Sequence, residues 1–410
     1  MRINRWAIPL LVLVVGGCVG DDQSGGAESE NAARGFDYQG MMANYADNVF
    51  LPEYRAFAEQ AEELAEGLNS VQFYCEALTD PDRATTPERV RDQWRRAMDQ
   101  WQRVELFQVG PLAANGGALR NRIYSFGSSA PLSECAVDQS VVLAQDEGFD
   151  LSSRSVNARG LDALEYLLFS EDLTHHCPSQ ISETQGWNDL PEQTRREQRC
   201  AYAQRLADDL VDASQTLVQA WQPEGNDYRF EWVNPANQEV NLKALSDALF
   251  YIELQTKDRK LGVPTGLHSN CNAVACPEAV ESPYSETSMD NVAANAEAFL
   301  VGFKGGNGLG FDDIFVYEGF PDVKEAFEDA VIDAQVRAGY SSPSLLQEMR
   351  EQLASGSAQN CLNAAANPAD NYPGACAAHA YLKRVTDRLR TDFITIVNLD
   401  LPERGQSDND

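Results

Sequence analysis

Apolar residues recur at intervals of three and four along most of the chain, the spacing that places side chains on one face of an α-helix. Runs of alternating β-branched residues, which would indicate strands, are few. The pattern predicts helices at residues 42–78, 87–107, 157–169, 191–221, 241–257, 288–301, 322–338, 344–354 and 374–397, with ends accurate to a few residues. The sequence therefore predicts an all-α protein.

One polar stretch interrupts this pattern near the middle of the chain. Residues 223–240 contain proline, glycine, asparagine and aspartate, which are typical of a linker. We therefore expect two helical-bundle halves, residues 36–222 and 241–400, followed by an acidic tail at residues 401–410.

Two acidic residues, Asp162 and Glu165, lie inside the apolar helical pattern of residues 159–169. At helical spacing they leave the same face of the helix one turn apart. If protein covers that face, both carboxylates need a cation, a hydrogen-bond donor or a shared proton, because an unpaired buried charge is very costly. Residues 310–315, GFDDIF, resemble residues 160–165, GLDALE, which suggests an internal duplication that keeps the full acidic pair in the first half alone.

The first residues have the pattern of a bacterial secretory signal. Arg2 and Arg5 precede an apolar run at residues 6–15 that is too short to span a membrane. Small residues directly before Cys18 resemble a lipobox, so we expect residues 1–17 to be removed and Cys18 to be lipidated. An ordinary signal peptide with a chance cysteine is the alternative.

The segment after Cys18 is expected to be a tether. Residues 18–35 are rich in Gly, Ser, Asp and Glu, a composition typical of flexible segments. Val19 rather than aspartate follows the cysteine, which by resemblance to Gram-negative lipoproteins favours the outer membrane. We therefore expect a lipid-anchored protein of the bacterial cell envelope.

The net charge limits the possible partners. Without the signal the chain keeps 30 basic residues against 63 acidic ones, a formal charge of −33. Such a protein repels nucleic acid, while the sign of the charge is compatible with attracting cations.

The even number of cysteines after Cys18 suggests disulfides in an exported protein. Proximity in sequence favours the pairs 271 with 276, 361 with 376, 177 with 200, and 75 with 135. The alternative is a metal cluster, but His268, Cys271 and Cys276 offer three ligands at an unusual spacing.

The region around Asp162 and Glu165 resembles the signature of the imelysin-like proteins, a family first described as peptidases, whose motif is GxHxxE. Three more segments resemble that family: Trp94 to Trp101 followed by Glu105 and Gly110-Pro111, residues 253–261, and residues 281–285. The resemblance covers residues 36–399. It implies an all-helical protein of two bundle-like halves that is exported to the bacterial envelope and is often linked to iron acquisition. It also implies peptidase activity, which is the activity first described for the family.

The chain departs from the motif at one position. Asp162 stands where the family has histidine, while Gly160 and Glu165 are retained. Zinc prefers nitrogen and sulfur ligands, and the sequence contains no HExxH pair, so the departure argues against a zinc peptidase. The remaining histidines, His175, His176 and His379, are interpreted as structural or solvated.

Asp162 and Glu165 offer oxygen ligands to a hard cation, a divalent or ferric ion such as Ca²⁺ or Fe³⁺. Glu105 and Glu253 are candidate further ligands because they lie in family-like segments. In the structural alternative, Arg159 bridges to Asp162, and Glu165 faces solvent or pairs across the bundle.

Three functions are consistent with these features. The first is an envelope lipoprotein that binds a metal ion or metal complex, with a role in iron uptake. The others are an imelysin-type metallopeptidase and a non-catalytic scaffold or protein-binding module. We favour the binding lipoprotein, attached to the membrane by its lipid anchor.

Overall fold

The protein is described from a computed structural model that covers residues 35–80, 86–223, 225–339, 343–369 and 371–402. The proposed signal, Cys18 and most of the tether lie outside the described residues. All regular elements in the described part of the chain are helical, so the all-α prediction is confirmed. None of the described helices combines the length and hydropathy that crossing a bilayer requires.

The α-helices are numbered in chain order. They are α1 Tyr38–Asn44, α2 Leu51–Glu66, α3 Val71–Thr79, α4 Pro87–Val104, α5 Ala114–Ile123, α6 Glu134–Leu143, α7 Gly160–Phe169, α8 Glu192–Ala220, α9 Tyr228–Trp232, α10 Gln238–Leu249, α11 Ser288–Lys304, α12 Phe311–Tyr317, α13 Pro321–Gly339, α14 Leu345–Ser355, α15 Gln359–Ala366, α16 Gly374–Arg388 and α17 Ile394–Val397. Three π-helical segments are Tyr45–Phe50, Ile252–Gly262 and Leu389–Phe393.

The long helices follow most of the predicted ranges. The predicted helix at residues 42–78 is interrupted between α2 and α3. At Gly67 the backbone turns extended, with ψ 178°, and a Cβ there would lie 2.6 Å from the carbonyl oxygen of Glu63. Ser70 then caps α3 by accepting a hydrogen bond from the Phe73 amide at 3.0 Å.

The described residues from Asp37 to Pro402 belong to one compact unit. Helix α2 packs between α4 and α8, and α7 packs on α4 and α8. Helix α11 packs on α13, which contacts α16. The two groups of helices meet where α4 packs on α11.

The segment predicted as a linker contributes to the core. Trp232 in α9 is fully buried and donates a hydrogen bond to the carbonyl oxygen of Met42 at 2.9 Å. Its ring packs against those of Phe50 and Trp221. The division into two halves at residues 223–240 stays a prediction about folding units.

Among the described residues, eight cysteines form four disulfides. The pairs Cys271–Cys276 and Cys361–Cys376 are as predicted. The other two predictions are wrong, because the bonds join Cys75 to Cys200 and Cys135 to Cys177. Proximity in sequence failed here because α3 packs along α8, which brings Cys75 next to Cys200.

Candidate functional site

Helix α7 begins at a glycine that no other residue could replace without strain. Gly160 has φ +79°, and a Cβ on it would lie 2.4 Å from the carbonyl oxygen of Ile123, the last residue of α5. Both the left-handed backbone and the close approach require glycine. This contact holds the start of α7 against the end of α5, next to Ser125.

Asp162 is the first acid of the motif and is 5 % exposed. The Ser125 hydroxyl donates a hydrogen bond to Asp162 Oδ2, and the Ala163 amide donates to Oδ1 at 3.1 Å. Burial raises the pKa of Asp162 to about 7, although these hydrogen bonds stabilise the carboxylate and act in the other direction. Asp162 therefore titrates near neutral pH.

Glu165 lies one turn later and is 1 % exposed. Its Oε1 accepts hydrogen bonds from the Tyr284 amide at 3.1 Å, the Ser285 amide at 2.7 Å and the Ser285 hydroxyl at 2.8 Å. Burial raises the pKa of Glu165 to about 8, and the negative charge of Asp162 contributes a smaller increase. The family-like segment at residues 281–285 thus contacts the motif directly.

Both motif acids line a cavity of about 410 Å³. Its wall also includes the aromatic residues Tyr124, Phe126 and Tyr284, the acid Glu134 and the cation Arg259. The size is in the range of small-molecule sites, which are about 300 to 1,000 Å³. The motif acids are therefore placed where a ligand larger than a bare ion fits.

A hydrogen-bonded network extends from the cavity wall to a histidine. The Tyr284 hydroxyl donates to Glu134, and the other oxygen of Glu134 lies 3.4 Å from His176 Nδ1. His176 Nδ1 is also 2.9 Å from the Tyr166 hydroxyl, which donates to Asp138 at 3.0 Å. The Cys135–Cys177 disulfide brings the neighbouring residues Glu134 and His176 together.

Sequence reasoning missed Glu134 and Tyr284 as site residues and interpreted His176 as structural or solvated. The sequence contained an indication that these residues lie close together, because Glu134 and His176 each adjoin a cysteine of the same disulfide. The wrong pairing of Cys135 with Cys75 concealed it.

Glu105 belongs to a separate buried cluster. Lys260 forms ion pairs with Glu105 and with Glu281, the latter at 3.0 Å. The Tyr124 hydroxyl donates to Glu281 at 2.8 Å, which connects this cluster to the cavity wall. Burial raises the pKa of Glu281, while the charge of Lys260 opposes that change.

Glu253 is likewise paired elsewhere. It is fully buried and forms an ion pair with Arg390. Burial raises the pKa of Glu253 to about 7, and Arg390 acts in the opposite direction. The structure thus brings Asp162 and Glu165 together at the cavity and places Glu105 and Glu253 in ion pairs with cationic side chains.

Arg159 pairs with Asp209 of α8 rather than with Asp162. The distance from Arg159 Nη2 to Asp209 Oδ1 is 2.7 Å, and Arg122 Nη2 reaches the same oxygen at 2.6 Å. The bridge from Arg159 to Asp162 that the structural alternative supposed is absent from the described contacts. Arg159 instead fixes the start of α7 to α8.

The described residues offer few other groups for a metal. Cys271 and Cys276 form a disulfide, which removes both thiolates from the cluster considered with His268. In the described part of the chain, no three His, Cys, Asp or Glu side chains form a group that could hold a metal ion. At the cavity, the described residues thus offer two motif carboxyls rather than a complete ligand set.

Residues 310–315, which resemble the motif in sequence, also resemble it in local structure at the start of α12. A Cβ on Gly310 would lie 2.2 Å from the carbonyl carbon of Lys304, although the Gly310 backbone is extended. Burial raises the pKa of Asp312 to about 7, as it does for Asp162. Phe315 stands at the position of Glu165. Duplication stays a hypothesis that these parallels favour.

The fold and the site define an all-α, disulfide-linked protein with a GxDxxE helix at the wall of a cavity. A family model described as Imelysin matches residues 50–359, about three quarters of the chain. The chain therefore belongs to the imelysin family. No curated protein matches the sequence.

Two solved structures share the fold. An imelysin-like protein from Psychrobacter arcticum has a TM-score of 0.60 at 13% identity and covers 89% of this chain and 96% of its own. A protein described as a candidate iron-regulated protein A precursor from Parabacteroides distasonis has a TM-score of 0.56 at 14% identity, with 90% and 97% covered.

Proposed function

We propose that this protein is an envelope lipoprotein that binds a metal ion in the form of a metal complex, in the course of iron acquisition. The observation that carries the proposal is the placement of Asp162 and Glu165, two buried carboxyls one turn apart, in the wall of a cavity of about 410 Å³. Carboxylate oxygens are the ligands that hard cations prefer.

The number of ligands favours a complex over a bare ion. Ca²⁺ takes about six to eight oxygen ligands. Two motif carboxyls supply fewer. Of the other two acids in the wall, Glu134 already accepts a hydrogen bond from Tyr284, and Glu278 is exposed. The remaining ligands would come from the cargo itself, for which the cavity has room.

Two further observations support the parts of the proposal that concern iron and the cell envelope. The Parabacteroides relative, which shares the fold, carries an iron-regulated name. The sequence before Cys18 has the pattern of a lipoprotein signal. Both agree with a lipid-anchored protein that captures a metal complex at the cell surface or in the periplasm.

Calorimetry and metal analysis of the natively purified protein test the proposal. We expect a Fe³⁺ complex to bind the wild type and to bind Glu165→Gln or Asp162→Asn at least about tenfold more weakly, since each change removes a carboxyl that would lose its proton and become a charged ligand when the metal binds. Glu348→Gln is the matched control. Glu348 is also buried and accepts two backbone amides, from Gly374 at 3.0 Å and Ala375 at 2.9 Å, away from the cavity.

Two other outcomes would assign a different function. Metal-dependent cleavage of a peptide library that disappears in Glu165→Gln would indicate a peptidase. Capture of one defined protein partner, unaffected by chelator and by the motif variants, would indicate a scaffold. Failure of the natively purified protein to bind any metal ion or ferric complex would contradict the proposal.

A further inference from the structure

The cavity that contains the motif acids also contains a cation. Arg259 lies in the π-helical segment Ile252–Gly262, lines the cavity and is half-buried. With the residues that the structure describes, it forms neither a hydrogen bond nor an ion pair. A half-buried guanidinium normally has a carboxylate or another acceptor as its partner.

Other arginines of the protein do have such partners. Arg122 and Arg159 pair with Asp209, and Arg199 pairs with Asp138. Arg259 differs from these three in that it has no ion pair with the described residues.

A second guanidinium adds to the local positive charge. Arg120 donates hydrogen bonds to the neutral amide oxygens of Gln108 at 2.8 Å and Asn121 at 2.7 Å. Burial lowers the pKa of Arg259, and the positive charge of Arg120 lowers it further, although Tyr251 acts in the opposite direction. Two guanidinium groups thus lie close together at the cavity of an otherwise strongly acidic protein.

The cavity therefore has two chemically different parts. Asp162 and Glu165 supply oxygen ligands, and Arg259 supplies a planar group of N–H donors. Guanidinium groups bind carboxylates through two parallel hydrogen bonds, a geometry that matches both groups. A ligand that satisfies both parts carries a cation or metal centre together with an anionic oxygen group.

A second cavity adjoins the first and adds volume for such a ligand. This second cavity, of about 310 Å³, is lined by Arg259, Ser128, Ser129 and Asn270, all of which line the first cavity as well, and by the buried acid Asp258, which pairs with Lys257. Arg259 thus stands where the two spaces meet, with hydroxyl and amide groups beside it. These groups are suited to hydrogen-bond further oxygens of a polycarboxylate.

We propose that the cargo is an anionic metal–carboxylate chelate, whose free carboxylate binds Arg259 while its metal centre faces Asp162 and Glu165. The inference rests on the proposed function, since it names the chemical class of the complex that the same site would take.

Calorimetry with three probes tests the inference: metal-free citrate, ferric citrate, and a cationic ferric trihydroxamate that has no carboxylate. We expect wild-type protein to bind ferric citrate about tenfold or more tightly than the trihydroxamate. Arg259→Gln should weaken ferric citrate and citrate by on the order of 10- to 100-fold, because a charge-assisted pair is lost. Arg259→Lys should lie between, since it keeps the charge and loses the paired geometry.

The control is Arg384→Gln, which changes an exposed arginine that rests on Tyr381 in α16. It should bind every probe as wild type does. Equal binding of ferric citrate by wild type and a folded Arg259→Gln, together with loss in Glu165→Gln, would overturn this inference and leave the proposed function standing. If neither ferric probe nor any metal ion binds, the proposed function fails, and this inference fails with it.

Discussion

Gly160 combines a φ of +79° with a Cβ position 2.4 Å from the carbonyl oxygen of Ile123. It thereby sets where Asp162 and Glu165 lie in relation to Ser125 and the cavity. The two acids carry the chemistry, but their burial, which raises both pKa values, follows from this close approach of two backbones.

Replacing Gly160 with alanine is expected to destabilise the fold strongly. The left-handed backbone alone costs a non-glycine residue about 1 to 2 kcal/mol, and the collision with Ile123 adds to that cost. Gly116→Ala is the matched control, because Gly116 has φ +68° with no atom within 4 Å of its Cβ position. Denaturant unfolding should show a clearly larger loss for Gly160→Ala, and equal losses would contradict this account.

The pH dependence of stability should report Glu165. Its pKa is about 8 in the folded protein against 4.5 for the exposed group, so the folded state binds this proton more tightly. The resulting stabilisation is complete below about pH 4.5 and is lost as the pH rises through about 8. Glu165→Gln should match wild type near pH 4.5 and exceed it at about pH 9 by on the order of 5 kcal/mol.

Chemical unfolding at the two pH values measures this difference. Glutamine keeps the oxygen that accepts from Tyr284 and Ser285, so packing is little changed. A pH-independent difference between Glu165→Gln and wild type would show that the carboxyl is not protonated in the folded state.

At the scale of elements, the periodic pattern predicted the long helices and the position of the motif on α7. It could not predict α5, whose first turn contains left-handed backbone at residues 115–117, or α12, whose seven residues are too few to show a period. It also placed the end of one helix at residue 257, whereas the chain continues as π-helix to Gly262. That continuation carries Arg259 and Lys260, and nothing in an α-helical pattern indicates it.

Only some of the site residues could be predicted from the sequence, and the reason is related. Asp162 and Glu165 are close in sequence, so helical geometry alone relates them. Glu134, Arg259 and Tyr284 come from three separate elements, and their meeting depends on tertiary packing and on the Cys135–Cys177 bond.

Lys260 is expected to be essential for the stability of the fold where the π-helical segment Ile252–Gly262 meets the end of α4. It is fully buried between Glu105 and Glu281. Lys260→Met should cost about 3 to 5 kcal/mol, because it leaves two buried acids without their cation. Adding Glu105→Gln and Glu281→Gln to that variant should recover much of the loss in thermal unfolding. No recovery would show that the cost arises from packing.

At the scale of the whole molecule, residues that precede the segment 223–240 contact residues that follow it in several places. Asn44 donates to the carbonyl oxygen of Gly305 at 2.8 Å, and α4 packs on α11. Trp232 fills part of the core between the flanking helices. The predicted halves therefore share buried contacts.

These shared contacts predict one cooperative unfolding transition for the whole chain. Differential scanning calorimetry should give a calorimetric enthalpy equal to the van't Hoff enthalpy, the sign of two-state behaviour. Two resolved transitions would instead favour two bundles that fold independently.

In the proposed function, the cavity at Asp162 and Glu165 receives a metal complex. Crystals of the protein soaked with ferric citrate, measured at the iron absorption edge, test it directly. We expect an anomalous peak within the cavity, beside the Asp162 and Glu165 carboxylates, that is absent in Glu165→Gln crystals and present in Glu348→Gln crystals. A peak elsewhere, or no iron in crystals of wild-type protein, would contradict it.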